Sequence, residues 1–144
     1  MNWTQFLAYV YEVDGIEYRG LFSFIIVSSA NRISGINNFY KDVKLDDNKF
    51  EVLLCKLTSK PELVKSLFYL RNNNDLDNIP GCEYYELSDL TIEFDSVPTH
   101  SWGIDGEEYK SKEKVFHFTI NKEINVVLPR NSVDKLFVET KDNE

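Results

Sequence analysis

The sequence predicts a mainly β protein, an antiparallel β-sandwich that carries one amphipathic helix. Three observations lead to this fold class. The 144 residues include ten Phe and eight Tyr, and aromatic side chains favour strands. Runs of strand-forming residues recur at short spacing with turn signals between them, as they do in sandwiches. Only one segment repeats its apolar residues at helical spacing.

Length and composition indicate a single domain over residues 1–144 that is large enough to bury a core. The low content of Pro and Gly, four and six residues, argues against disorder. The net charge of −8 opposes binding to nucleic acid or to an anionic membrane surface through bulk charge, and no basic cluster counters it, so contact with a membrane would rely on apolar side chains or on another domain. The sequence shows neither a secretory signal nor an apolar run near eighteen residues, so we expect a cytoplasmic protein.

The first two strands are expected to form a hairpin. Residues Gln5 to Val13 are rich in aromatic and branched side chains, and Ile16 to Val27 resumes the pattern after Asp14-Gly15. An Asp-Gly pair between two such runs is typical of a tight turn. The second run ends nearly continuously apolar, which predicts a strand that is buried on both faces and central in its sheet.

A long loop, a third strand and the helix come next. Residues 28–48 have little periodicity. A loop of that length is uncommon in a compact domain and is more often functional than a short loop, so a functional loop is favoured over a surface loop without a function. Lys49 to Leu57 is predicted as a strand. A hydroxyl side chain that can cap a helix, followed by Pro61 and Glu62, then predicts a helix over about 60–71. We expect its apolar residues to cover a sheet; they are Leu63, Val64, Leu67, Phe68 and Leu70.

The remaining elements are strands and turns. Cys55 is interpreted as a buried small hydrophobe and Cys82 as a turn residue, and the sequence leaves a bridge between them open. His117 is interpreted as structural and His100 as a surface residue. The predicted strands are Tyr84 to Phe94, Val115 to Ile120, Glu123 to Leu128 and Leu136 to Val138.

Two acidic turns are the candidates for chemistry. Asp105-Gly106 predicts a hairpin tip and places the Asp105 and Glu107 carboxylates beside flexible backbone, although a solvated tip is the simpler interpretation. The turn at Asp47 and Asn48 offers the carboxylate and main-chain oxygens that Mg²⁺ or Ca²⁺ prefers. Asn48 also suits the left-handed backbone that such a turn requires. Glycine-rich phosphate loops, nucleophile elbows and zinc-spaced Cys or His clusters are absent from the sequence.

The order of these motifs resembles the C-terminal domain of bacterial lipid kinases of the diacylglycerol kinase type, which are related to sphingosine kinases. The resemblance runs from about Tyr11 to Arg130. A strand and a small-residue loop at Val27–Gly35 precede the acidic loop and strand at Tyr40–Val52. The helix follows, then the Asp-Gly-Glu turn at Ile104–Glu107 and the closing strand at Val126–Pro129.

The resemblance implies specific roles. Glu107 would be the general base that deprotonates the lipid hydroxyl, with Asp105 in the same turn. A structural Mg²⁺ would be held by the Asp47 carboxylate and by main-chain carbonyls of Lys44 and Lys49. A pocket for the lipid substrate would lie between the sheets and the loop Ser28 to Tyr40. Peripheral contact with the inner face of a membrane and a homodimer are both compatible with this family.

Departures from the family pattern bear on the metal site and on activity. Lys41 stands where the family has proline, Asn48 where it has glycine, and Ser29 where it has asparagine. ATP binds in the family mainly through an N-terminal nucleotide-binding domain, and nothing in these 144 residues resembles its Gly-Gly-Asp-Gly-Thr motif. We therefore expect the chain alone to fold as a sandwich without phosphorylating a substrate.

Two other interpretations remain from the sequence. The first is a non-enzymatic β-sandwich that binds a ligand or a partner protein, with both acidic turns incidental. The second is a glycosidase that uses Asp105 and Glu107, which is less favoured because no carbohydrate-binding aromatic platform is evident from the spacing.

Overall fold

The computed structural model describes residues 6–12, 17–29, 47–73 and 78–121. The mainly antiparallel β fold with a single helix in these residues confirms the predicted fold class. The elements are β1 (Phe6–Glu12), β2 (Glu17–Phe22), β3 (Phe24–Ser28), β4 (Phe50–Cys55), α1 (Lys60–Asn73), β5 (Cys82–Leu87), β6 (Asp89–Phe94), β7 (Trp102–Ile104), β8 (Glu107–Tyr109) and β9 (Val115–Thr119).

The strands form a four-stranded sheet of order β2-β1-β6-β9, a three-stranded sheet of order β3-β4-β5 and the hairpin β7-β8. All the recorded pairs are antiparallel. The predicted strands at Glu123 to Leu128 and Leu136 to Val138 lie outside the described residues, as does most of the predicted loop.

Two long predicted strands are each divided between the sheets. The run from Ile16 to Val27 breaks at Ser23, so β2 joins the four-stranded sheet and β3 the three-stranded one. The run from Tyr84 to Phe94 breaks at Ser88 in the same way, into β5 and β6. A strand that changes sheets connects the two layers of a sandwich, which periodicity alone does not reveal.

The central strand of the smaller sheet is β4 rather than β3. Among the described residues β3 pairs with β4, whereas β4 pairs with both β3 and β5. All six residues of β4 are buried. Val52 and Leu54 face the core between the two sheets with Phe22, Leu90 and Ile92. The alternate residues Leu53 and Cys55 face a second core beneath α1, together with Leu57, Leu70 and Ile79.

The helix begins as predicted and extends two residues beyond the predicted end at 71. The Thr58 main-chain N–H and hydroxyl both donate to Glu62 Oε2, at 2.6 and 2.8 Å, and so fix the first turn. Buried Ser66 lies within hydrogen-bond distance of the Pro80 main-chain oxygen, at 2.6 Å. No helix in the described part of the chain is long and apolar enough to cross a bilayer.

The expectation that the whole apolar stripe of α1 covers a sheet is wrong for three residues. Val64, Leu67 and Phe68 are 64%, 50% and 68% exposed. The side of the helix that contacts the sheet carries Leu63 and Leu70. Successive residues of a helix are rotated by about 100°, which places Val64, Leu67 and Phe68 to one side of that contact surface. One flank of α1 is therefore apolar and open to solvent.

Candidate functional site

The Asp-Gly turn forms the tip of the β7–β8 hairpin, as predicted. Asp105 and Gly106 both have positive φ, 50° and 88°, which is the backbone of a type I′ turn. Asp tolerates this left-handed backbone better than most residues and Gly adopts it freely. Ile104 pairs with Glu107 across the turn, and Trp102 pairs with Tyr109.

The two faces of the hairpin differ in character. Side chains alternate along a strand and paired residues share a face, so Glu107 lies on the same face as Trp102, Ile104 and Tyr109. Glu108 lies on the opposite face, where its Oε1 accepts a hydrogen bond from the Ser101 hydroxyl at 2.7 Å. The hairpin thus separates two adjacent glutamates.

Trp102 fixes the hairpin against the four-stranded sheet. Its ring centroid lies 5.1 Å from that of Phe116, 5.6 Å from that of Phe118 and 6.2 Å from that of Phe94. Aromatic pairs at these separations and tilts are favourable beyond the area they bury. The acidic tip is therefore carried by a short ribbon with an aromatic anchor at its base.

An apolar cleft of about 690 Å³ lies between the hairpin and β3, the strand at the edge of the three-stranded sheet among the described residues. This volume suits a small ligand or part of a larger one. Polar groups on its lining include those of residues 99–101 and Asp105. The apolar lining includes residues 24–27 of β3 together with Phe94, Trp102, Ile104, Phe116 and Phe118.

The two predicted site residues of this turn differ in their relation to the cleft. Asp105 is on its lining, whereas Glu107 is not, although Glu107 shares a hairpin face with the lining residues Trp102, Ile104 and Tyr109; both acidic side chains are exposed. His100, interpreted as a surface residue, is exposed and also lines the cleft. His117, interpreted as structural, has its Nε2 2.8 Å from Asp89 Oδ1 on the neighbouring strand.

The second acidic turn lies at the start of β4 and takes no part in the described lining of the cleft. Asn48 has a φ of 60°, as its residue type predicts for this position. Asp47 Oδ1 accepts a hydrogen bond from the Lys49 main-chain N–H at 3.1 Å. The Lys49 ammonium lies 3.3 Å from Glu86 Oε2. The third predicted ligand, Lys44, lies outside the described residues.

Glu51 is a buried carboxyl near this turn that sequence reasoning missed. It is 4% exposed, and its Oε2 has no hydrogen-bond partner in the described structure. Burial raises its pKa from 4.5 to about 7, and the negative charges of Asp47 and Glu86 add to the effect. The only sequence signal was a glutamate within the apolar run of β4.

These features give a mixed result for the predicted Mg²⁺ site. The described residues contain no group of three His, Cys, Asp or Glu side chains arranged to hold a metal ion. The left-handed turn at Asn48 and the uncompensated carboxyl of Glu51 nevertheless favour a cation beside Asp47. The Mg²⁺ site that the resemblance implies, with one carboxylate and main-chain oxygens as ligands, therefore stays a prediction, because its third ligand, Lys44, lies outside the described residues.

No family model and no curated protein matches this sequence. Among solved structures, one described as "a putative diacylglycerol kinase" from Bacillus anthracis str. Sterne superposes with a TM-score of 0.52 at 20% identity. The match covers 66% of this chain and 31% of that one. A second structure with the same description has a TM-score of 0.52 at 18% identity, covering 67% and 31%.

These similarities concern the fold, since both identities are below 25%. The chain therefore has a diacylglycerol kinase-like fold, which confirms the fold that the motif order implied. The matched region spans 31% of the length of each of these two structures.

Proposed function

We propose that this chain is the lipid-binding part of a lipid kinase that phosphorylates the hydroxyl of diacylglycerol or a related lipid with ATP. The observation that carries the proposal is an apolar cleft whose lining includes Asp105, at the tip of the hairpin that also carries Glu107. A diacylglycerol needs both features, because its acyl chains require apolar walls and its hydroxyl requires a proton acceptor. The likeness to a portion of structures described as diacylglycerol kinases supports this choice.

The cleft provides the acyl-chain site in this proposal. One wall is β3, and another is the aromatic group around Trp102. The polar residues 99–101 lie on the lining together with Asp105. An amphiphile would therefore place its chain among the aromatic rings and its headgroup beside the hairpin tip.

Glu107 is the proposed general base. Its carboxylate takes the proton of the lipid hydroxyl as that oxygen forms a bond to the γ-phosphorus of ATP. The bond between the γ-phosphorus and the bridging oxygen of ADP breaks, and ADP carries away the electron pair. Asp105 supplies a second acceptor for polar groups of the headgroup. The exposure of both side chains leaves them accessible to a substrate and to a second domain.

ATP would bind to a nucleotide-binding domain opposite this surface, so the 144-residue chain alone should show no turnover. The proposed Mg²⁺ ligands are the Asp47 carboxylate and the main-chain oxygens of Lys44 and Lys49. A bound Mg²⁺ would neutralise the acidic turn and brace the start of β4. Burial is the main cause of the raised pKa of Glu51, and the negative charge of Asp47 adds to it, which is the charge that a bound cation would neutralise.

The exposed flank of α1 is the proposed point of contact with a lipid surface. Val64, Leu67 and Phe68 form an apolar strip on one side of the helix. Exposed Lys60 lies one turn before Val64 on that side, and exposed Lys65 lies beside the strip. An apolar strip with flanking lysines is the pattern of helices that rest on anionic bilayers. This contact would bring the cleft to a substrate that resides in the membrane.

The direct test is lipid binding reported by the fluorescence of Trp102. In a Trp3→Phe background, a short-chain diacylglycerol with brominated acyl chains should quench Trp102 saturably. Ile104→Asp places a charge on the lining at an exposed position and should weaken the quenching at least about tenfold. Glu108→Gln, on the opposite face, should leave it unchanged. Quenching no stronger than that of a brominated alkane, or equal in Ile104→Asp, would overturn the proposal.

The alternative function is a binding module without catalysis, favoured by the exposed location of both carboxylates. It predicts saturable quenching together with no phosphorylation when a nucleotide-binding domain that forms a complex with the chain is added.

A further inference from the structure

The two cysteines lie directly opposite each other on adjacent antiparallel strands. Cys55 ends β4 and Cys82 begins β5, and the two are register partners. Both are free thiols, and their sulfur atoms are 2.8 Å apart, with one thiol donating a hydrogen bond to the other. The sequence, in which 27 positions separate them, leaves a bridge open, and the register of β4 and β5 brings the two residues together.

The backbone geometry at this pair of residues is compatible with a disulfide bond. The Lys56 N–H donates to the Gly81 main-chain oxygen at 2.8 Å, so Lys56 and Gly81, next to the two cysteines, are a hydrogen-bonded pair of the ladder. The Cys55 oxygen accepts instead from Ser23, and the Cys82 N–H donates to Ile79. Cys55 and Cys82 therefore form a non-hydrogen-bonded pair, for which Cα atoms are about 4.5 Å apart. That separation lies within the range of natural disulfides.

The two thiols are unequal. Cys55 is fully buried, whereas Cys82 is partly exposed. The hydrogen bond between the two thiols lowers the pKa of Cys82, and the same interaction together with burial raises the pKa of Cys55. The accessible thiol is thus also the one that more readily becomes a thiolate, which is the nucleophilic form.

We propose that Cys55 and Cys82 are a peroxide-reactive thiol pair that forms an intramolecular disulfide. The Cys82 thiolate attacks one oxygen of hydrogen peroxide, the O–O bond breaks, and hydroxide leaves to take up a proton as water. Cys55 sulfur then attacks the sulfenic sulfur of Cys82, the S–S bond forms, and a second water departs with the thiol proton. Two thiols and one peroxide give one disulfide and two waters.

The bridge would act on the helix as well as on the strands. Both cysteines lie on the face of the sheet that α1 covers, and the segment between them contains the whole of α1. A bond between the ends of this segment restricts the unfolded chain and holds the base of α1 to the sheet. The inference is independent of the proposed lipid-kinase function.

The test is oxidation of the folded full chain with hydrogen peroxide, followed by denaturation, alkylation and mass spectrometry. We expect a mass loss of about 2 Da, no alkylated cysteine and a Cys55–Cys82 linked peptide, all reversed by dithiothreitol. The oxidised chain should also unfold at a higher urea concentration than the reduced chain. Two alkylated cysteines after peroxide treatment, or bridges only between different chains, would overturn the proposal.

Single variants test the assignment of roles. Cys55→Ala removes the resolving thiol, so Cys82 should accumulate as a sulfenic acid that dimedone traps. Cys82→Ala leaves only the buried thiol and should give little dimedone adduct in the folded state. More dimedone adduct in Cys82→Ala than in Cys55→Ala would overturn the assigned order. Peptide mapping of the wild-type chain decides on the bridge itself even where a variant folds poorly.

Discussion

The Ser23 hydroxyl donates a 2.9 Å hydrogen bond to the main-chain oxygen of Cys55 where the chain passes from one sheet to the other. The same hydroxyl accepts from the Leu57 N–H at 3.1 Å. Ser23→Ala would remove both of these partly buried hydrogen bonds, so the free energy of unfolding should fall by about 1–2 kcal/mol. Urea denaturation measures the change. Ser88→Ala, at the exposed second crossing, is the control; equal effects of both variants would contradict the role of Ser23.

Three glycines should differ in their tolerance of Ala. At Gly81, φ is +76° and a Cβ would lie 2.7 Å from Leu57 Cδ2, so strain and overpacking together should cost about 2–4 kcal/mol. Gly106 has a φ of +88° with open space around it, so backbone strain alone should cost about 1 kcal/mol. Gly103 has no such constraint and should change stability by less than about 0.5 kcal/mol. Thermal or urea unfolding gives the order, and a reversed order would contradict it.

Glu51 should make the fold less stable as the pH rises. Because its pKa is raised from 4.5 to about 7, the folded chain binds the proton more tightly than the unfolded chain does. Its contribution to the free energy of unfolding is therefore lost between about pH 4.5 and pH 7, by on the order of 1–3 kcal/mol. Glu51→Gln should flatten this part of the profile and be more stable than wild type at pH 8.

Urea unfolding between pH 4 and pH 8 in the presence of a chelator measures this effect without a contribution from a bound cation. Glu113→Gln, at an exposed position, is the matched control and should follow the wild-type profile. A Glu51→Gln profile with the wild-type slope would show that the buried carboxyl does not titrate in this range.

Local sequence signals predicted those parts of the structure that depend on neighbouring residues. The left-handed turn residue Asn48, the tight turn at Asp105-Gly106 and the helix start at Glu62 were all predicted, because each conformation is set within a few positions. The division of strands at Ser23 and Ser88 was not, since it depends on which sheet each half joins.

The candidate site shows the same limit. The sequence shows that Phe116 and Phe118 alternate along a predicted strand. Their packing on Trp102, which fixes the hairpin beside β3, is a tertiary contact that the alternation does not predict. The burial of Glu51 likewise follows from the position of β4 between two layers. The role proposed for Glu107 came from the family resemblance, and the hairpin register adds that it shares a face with Trp102, Ile104 and Tyr109.

The adjacent residues Glu107 and Glu108 provide a matched pair for testing catalysis. The chain would be combined with a separately expressed nucleotide-binding domain of a related lipid kinase, ATP, Mg²⁺ and diacylglycerol micelles. Loss of a general base typically costs about 10²- to 10⁴-fold, so Glu107→Gln should reduce phosphorylation at least about 100-fold. Glu108→Gln should stay within about twofold. Equal rates in the two variants would refute the assignment of the base, and turnover by the 144-residue chain alone would refute the need for the second domain.

The exposed strip on α1 should control binding to lipid vesicles. Each of Val64, Leu67 and Phe68 is at least half exposed, so partitioning into a bilayer interface would remove apolar area from water at little structural cost. Replacing Leu67 and Phe68 together with Ser should weaken sedimentation with phosphatidylglycerol vesicles about tenfold or more. Val97→Ser, which changes an exposed apolar residue elsewhere, is the control.

The dependence of binding on lipid charge distinguishes a lipid contact from other functions of the same strip. A lysine near an anionic surface contributes about 1 kcal/mol, so Lys65→Gln should weaken binding to phosphatidylglycerol vesicles about fivefold and have no effect with neutral phosphatidylcholine. Added salt should reduce the difference, because it screens the lysine. If the Leu67 and Phe68 variant instead abolished self-association of the chain and left vesicle binding intact, the strip would be an interface between two copies and the lipid contact would be wrong.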